Sequence, residues 1–398
     1  MTVCRIYGGG YTLGSKGDYA NPSGLIKASQ AGGNEGIIYV AMNYRLGALG
    51  WLSGSTLQTA GGVSNAGLYD QRLAIEWVSK YIHLFGGDPN KITIMGQSAG
   101  GGSVLHQITA FGGQKGVSFQ RAIPQSPGYL PVTSNYLQEN TTQTYLSLLN
   151  VTSIEQARNL SSEAVIRANT LQVGGSQYGY FSYGPVVDGV FVPAFPGILL
   201  SAGQFAKNIS ILASHMIDEA VGFTPPNVRT DDEFAAFIQT SHPGIAQPAL
   251  DYIVKTLYPA KYDGSQPYTT PLQRTILSVS ESIFTCNTNF LAKAFKNQTF
   301  AYEFQIPPGF HAEDVPYTFY NGQGTNVTTG LLAPIAQTLQ GYITNFVKNG
   351  NPNGPGLPTF PMQGSNASMI AINTTYIRPQ RDDTSNQRCA WFEKGLFF

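Results

Sequence analysis

Gly96-Gln97-Ser98-Ala99-Gly100 sets a serine between two glycines, after the β-rich run Ile92-Thr93-Ile94-Met95 that stops at Gly96, and before a segment of helical character. A serine at the apex of so sharp a strand-to-helix turn is lifted clear of the sheet, where its hydroxyl can act as a nucleophile. The strained turn leaves no room for side chains at the flanking positions, which is the physical reason for Gly96 and Gly100. The same five residues would also make a plain glycine-rich turn after a buried strand. The rest of a nucleophile's machinery decides between the two: a base for the serine proton, a group to orient that base, and donors for the oxyanion.

Five histidines are available as the base: His83, His106, His215, His242 and His311. His83 precedes the serine, whereas on a scaffold of this kind the acid and then the histidine follow it. His106 lies on the helix after the turn and points where that helix dictates. His215 would precede or crowd the acid, and His242 sits in a Ser-His-Pro turn within a helical stretch. His311 lies on a loop leaving a core strand, where late catalytic residues belong, and is the expected base. The acid should stand beyond a strand end between Ser98 and His311. Asp218 and Glu219 both do so after the run 209–213, with Asp188 as a third candidate, and position alone does not separate Asp218 from Glu219. The residue after the nucleophile, Ala99, offers a backbone N–H to the oxyanion, and the loop Gly8-Gly9-Gly10 can turn further N–H groups inward.

The elements that hold these residues alternate. Strands are expected at 3–7, 36–43, 92–95, 121–124, 209–213 and 299–304, and helices at 68–82, 99–108 and 331–350, the last ended by Asn351-Pro352-Asn353-Gly354-Pro355 and followed by a tail. Residues 231–292 read as mainly helical, broken at Pro243, Pro248 and Pro259. This alternation predicts an α/β chain with a mostly parallel sheet and helices on both faces. Helical insertions are expected at about 132–175 and 226–292 within a single catalytic domain spanning 1–398. Arg45, Asp70 and Arg72 are expected to orient loops through ion pairs.

Composition narrows the setting. Charged residues are 12% and the formal net charge is zero, so nothing in the composition suggests a nucleic-acid groove or a patch for anionic membranes. No apolar run approaches a membrane span, and the C-terminus carries no lipid-anchor signal. Eight Asn-x-Ser/Thr sequons occur, at Asn140, Asn150, Asn159, Asn208, Asn297, Asn326, Asn366 and Asn373, with Asn208 bordering a strand. They point to a secreted glycoprotein whose sugars supply the solubility that charge does not. No signal peptide is read, because Met1-Thr2-Val3-Cys4-Arg5 runs straight into a strand, and a missing N-terminal segment is expected. Three cysteines leave at least one unpaired. Cys4 reads as a small buried thiol, and in an oxidising compartment Cys286 and Cys389 are the preferred pair, closing a loop whose chain entropy contributes at most ~4–5 kcal/mol.

Tyr7-Gly8-Gly9-Gly10, Asn43-Tyr44-Arg45, Asn65-Ala66-Gly67 with Asp70-Gln71-Arg72, Phe85-Gly86-Gly87-Asp88-Pro89 and Gly96-Gln97-Ser98-Ala99-Gly100 follow one another along the chain. Ala122-Ile123 with Gln125-Ser126, Gly184-Pro185-Val186-Val187-Asp188-Gly189, Asp218-Glu219, His311 and Gly350-Asn351-Pro352-Asn353 complete the series. In this order they resemble the type-B carboxylesterase/lipase family, which includes cholinesterases and secreted fungal esterases and lipases, and the fungal members most. The resemblance implies an α/β-hydrolase fold and hydrolysis of a small-molecule or lipid ester through an acyl-enzyme, without metal or organic cofactor. It implies Glu219 as the acid of a triad with Ser98 and His311, Gly9, Gly10 and Ala99 as the oxyanion hole, and the Cys286–Cys389 disulfide. Lipase action on longer acyl chains, or a non-catalytic binding role on the same fold, are the alternatives it carries.

Three departures stand out. Family members carry several strands and a disulfide-closed flap before the glycine loop, which predicts an exposed sheet edge and apolar surface here. Gln97 replaces the usual glutamate before the serine and removes a negative charge beside the nucleophile, which weighs against a cationic substrate. Ala220 replaces the usual glycine after the acid, a small change at that turn.

Overall fold

Val3 and Cys4, Ile94 and Met95, and Leu212 and Ala213 are adjacent pairs whose members join two different apolar cores, one on each face of a sheet. Successive strand residues point to opposite faces, so continuous apolar runs are what a sheet covered on both sides requires. The computed structural model describes residues 1–18, 21–33, 35–129, 131–322 and 331–397; the sequon at Asn326 lies outside them. Its strands are β1 (Thr2–Ile6), β2 (Ile38–Ala41), β3 (Ile92–Gln97), β4 (Arg121–Gln125), β5 (Ser210–Met216), β6 (Phe300–Phe304), β7 (Ser368–Ile372) and β8 (Ile377–Arg381). They lie in the order β2-β1-β3-β4-β5-β6-β7-β8. Neighbours are parallel except β7 and β8. This is the α/β-hydrolase arrangement that the sequence implied.

Register brings the chemistry-bearing ends together. Ile6 at the end of β1 pairs with Gly96 on β3, so the glycine loop leaves the sheet beside the serine turn. Met216 at the end of β5 pairs with Phe304 at the end of β6, so the acid candidates and His311 leave the same edge as neighbours.

Several expected boundaries shift. β3 runs on through Gly96 to Gln97, because both residues pair with Pro124 and Gln125 of β4. β5 extends to Met216 and carries Ser214 and His215 inside the strand. The long C-terminal helix is Ala333–Asn349, closed by Gly350 in the left-handed conformation. The stretch 231–292 resolves into helices Asp231–Ser241, Gln247–Tyr252 and Pro271–Val279, with Cys286–Ala294 beginning within it and π-turns at Ile253–Leu257 and Ser280–Thr285. The expected tail instead supplies two strands and the helix Gln387–Phe392. β8 escapes a sequence reading because Ile377-Arg378-Pro379-Gln380-Arg381 is polar and contains a proline, which suits only an edge strand.

Cys286 and Cys389 are bonded across a separation of 103 residues and tie the helix Cys286–Ala294 to the C-terminal helix. Cys4 is a free thiol buried in β1, and burial pushes it up to about 12. Arg45 grips Asp70 through two bonds of 2.8 Å and Arg72 bonds Glu76, so these charges hold loop and helix in place. Among the described residues no helix is long and apolar enough to cross a membrane.

Candidate active site

Ser98 sits at φ 61°, ψ −128°, between the end of β3 and the helix Ala99–Thr109. A non-glycine residue rarely holds such a φ, and strain of this kind persists only where the surroundings over-determine it. Here the Ser98 N–H donates to Gln125 O at 3.0 Å, and Gly128 N–H donates to Ser98 O at 3.0 Å. The neighbouring glycines are obligatory. A Cβ on Gly96 would lie 2.4 Å from the Gly100 carbonyl, and one on Gly100 would lie 2.2 Å from Ile6 O.

Glu219 has no exposed surface. Its Oε1 accepts the Met216 N–H at 2.8 Å, and its Oε2 lies 2.5 Å from His311 Nδ1. Asp218 is turned the other way: its N–H donates to Gly309 O at 3.0 Å and it bridges Phe310, while its side chain faces solvent. That bridge joins the loop after β5 to the loop carrying His311 and sends the next side chain inward. The His311 ring is held between Phe284 and Phe223, with centroids at 4.5 and 5.2 Å.

With Nδ1–H donated to Glu219, His311 keeps its lone pair on Nε2. That nitrogen stands 3.2 Å from the side-chain nitrogen of Gln97. Among the described residues no hydrogen bond joins Ser98 Oγ to His311, so a neutral amide occupies the basic nitrogen in this state. Catalytic contacts are often loose without substrate and tighten around it.

The loop Gly8-Gly9-Gly10 carries φ values of 109° at Gly9 and 59° at Gly10. The Gly9 carbonyl is used locally, accepting from Leu13 N–H at 2.9 Å and Thr12 N–H at 3.1 Å. The N–H groups of Gly9, Gly10 and Ala99 have no protein partner among the described residues. A Cβ on Gly10 would strike the Phe181 ring at 2.2 Å.

Gly10, Ser98 and Ala99 border a cavity of about 300 Å³. Its walls are mainly apolar and aromatic, with Tyr129, Phe181, Phe223 and Phe284 prominent, and among the described residues no charged side chain lines it. A neutral, compact substrate suits such a space.

The remaining sequence candidates do other work. His106 is fully buried against the Tyr129 ring, and burial pushes it down to about 3. Burial likewise holds His242 down at about 4, and His83 is exposed in the turn Ile82–Phe85 that follows its helix. Asp188 accepts from Asn65 Nδ2 and from the N–H groups of Val190 and Val192, and so shapes its own turn. His215 lies in β5 with Nδ1 4.0 Å from Glu303. Burial disfavours its charged form, but Glu303 and Asp383 outweigh that and raise it. His215, Glu303 and Asp383 bring donor atoms within 4.8 Å of one another, yet none of them lines the cavity.

Sequence reasoning missed Asp314, three residues after His311 and fully buried. Its Oδ2 accepts from Tyr302 OH at 2.7 Å and from Gln125 Nε2 at 3.0 Å, and burial raises its carboxyl to about 6. The only local signal was an acidic residue at the start of a short helical turn, Val315–Thr318.

Comparison with known proteins gives the family of the chain. Residues 2–392 match the Carboxylesterase family. The chain is 41% identical over 393 residues to carboxylesterase patB of Aspergillus clavatus, covering 98% of this chain and 70% of that protein. It is 31% identical to a secreted lipase of Arthroderma benhamiae, covering 88% of this chain and 67% of the lipase. The crystal structure of Aspergillus niger EstA superposes with a TM-score of 0.86 at 27% identity, covering 99% of this chain and 80% of that one.

Proposed function

Because this chain belongs to the carboxylesterase family and is a carboxylic ester hydrolase, we propose that Ser98, His311 and Glu219 are its catalytic triad. The observation that carries this reading is the 2.5 Å contact between Glu219 Oε2 and His311 Nδ1, made by a carboxylate without exposed surface. The anchored Glu219 fixes the tautomer in which Nε2 can accept a proton.

Ser98 Oγ attacks the ester carbonyl carbon while His311 Nε2 takes the hydroxyl proton, releasing its contact with Gln97. The carbonyl electron pair moves onto oxygen, which the N–H groups of Gly9, Gly10 and Ala99 receive. Collapse expels the alkoxide, His311 returns the proton to it, and an acyl-Ser98 ester remains. Water attacks that ester with His311 as base, giving the carboxylic acid and free Ser98. The uncharged cavity favours a neutral ester, and its volume of about 300 Å³ favours short or compact acyl groups over long lipid chains. Residues 1–398 act as one catalytic unit in this reading, with helical insertions roofing the site. The disulfide and the sequons fit an extracellular glycoprotein.

A fluorophosphonate probe tests the nucleophile. One label per chain on the peptide containing Ser98 is expected, with complete loss of ester hydrolysis. Labelling of a different serine, or none while hydrolysis continues, refutes the assignment.

The oxyanion role is tested by Gly10→Ala. The new methyl meets the Phe181 ring and forces a left-handed alanine, so the loop must shift its N–H groups. A fall in kcat of roughly 10²–10³-fold with a much smaller change in KM is expected. Unchanged kcat would remove Gly10 from the oxyanion hole.

A further inference from the structure

Leu137, Asn140 and Thr141 are spaced three and four residues apart on the helix Asn135–Leu148, so they share one face, and all three line the cavity that holds Ser98. Asn140 is also the acceptor of the sequon Asn140-Thr141-Thr142. Its side chain is exposed and its amide makes no hydrogen bond among the described residues, while its backbone carbonyl accepts from Thr144 Oγ1 at 2.8 Å. No other sequon asparagine among the described residues lines this cavity. The helix is firmly seated: Ser134 caps its start, Gln138 Nε2 donates to Val132 O and Val187 O, and Thr142 Oγ1 donates to Ser53 O at 2.6 Å.

We propose that Asn140 carries an N-linked glycan whose first sugars form the outer wall of the substrate cavity and limit the acyl chains that enter it. The modification joins Asn140 Nδ2 to the anomeric carbon of an oligosaccharide carried on a lipid pyrophosphate; the pyrophosphate leaves and one amide proton is lost. Thr142, whose hydroxyl the transfer requires, is fully buried in the folded chain. Attachment therefore precedes folding, and the helix then fixes the sugar at the rim. A glycan is too large to enter a cavity of about 300 Å³, so it stands over the mouth and narrows it. The proposal rests on the extracellular reading and on Ser98 as the reacting group.

The test uses the full chain passed through the secretory route of a eukaryotic host. Peptide mapping reads occupancy at each sequon. Nitrophenyl butanoate and dodecanoate are then compared before and after endoglycosidase trimming of the folded protein, and for Asn140→Gln. Occupied Asn140 is expected, with the dodecanoate-to-butanoate ratio of kcat/KM rising about fivefold or more after trimming and in the variant. An unmodified Asn140 peptide overturns the proposal, and so does an unchanged ratio. Loss of all ester turnover in an occupied, folded protein instead strikes the triad assignment, because peptide mapping is independent of activity.

Discussion

Ser98→Ala is expected to lower kcat for a short neutral nitrophenyl ester by roughly 10⁵–10⁶-fold while leaving the fold intact. In the proposed mechanism this hydroxyl bonds the acyl group, so its removal stops acyl transfer. The side chain makes no hydrogen bond among the described residues, and the left-handed backbone is held by main-chain contacts to Gln125 and Gly128. Alanine therefore inherits the same strain without new clashes, and the melting temperature should stay close to that of the parent. What activity remains comes from the oxyanion donors and substrate positioning. Turnover within tenfold of the parent, at undiminished purity, would sink the acyl-enzyme mechanism.

Glu219→Gln is expected to lower kcat by about 10³–10⁴-fold, with KM little changed. The carboxylate accepts two hydrogen bonds at once, from Met216 N–H and from His311 Nδ1–H. A glutamine of the same shape has one oxygen and one NH₂, so it cannot accept both. Keeping the Met216 bond turns NH₂ toward Nδ1 and favours the tautomer with the proton on Nε2, which cannot receive the proton of Ser98. Asp218→Asn provides the contrast. The Asp218 side chain is exposed and its contribution to the loop is made by backbone, so a change of about twofold is expected. Equal losses in the two variants would undo the assignment of Glu219.

Much of this protein follows from local chemistry. The serine turn was legible because its constraint is steric and short-ranged: no side chain fits at Gly96 or Gly100, where a Cβ would lie within 2.4 Å of backbone. The apolar runs were legible because a sheet covered on both faces leaves no polar alternation. The order of motifs along the chain sufficed for the family and the α/β-hydrolase fold.

Other features depend on partners far away in sequence. Asp218 and Glu219 are adjacent and chemically similar, and residue spacing left them equivalent. The bridge from Asp218 to Phe310 separates them, and it forms only when the loops after β5 and β6 lie side by side. Gln97 reads as a missing charge in sequence, whereas in the fold its amide occupies His311 Nε2 across 214 residues. β8 has no strand signal of its own and exists because β7 offers it an edge. Asp314 is met by Tyr302 from β6 and Gln125 from β4, two strands separated by β5, a convergence that residue spacing does not show. Local sterics and periodicity act within a few residues and can be read from sequence; the orientation of Glu219, the partner of His311 Nε2 and the burial of Asp314 are set by contacts between segments, which exist only once the sheet has assembled.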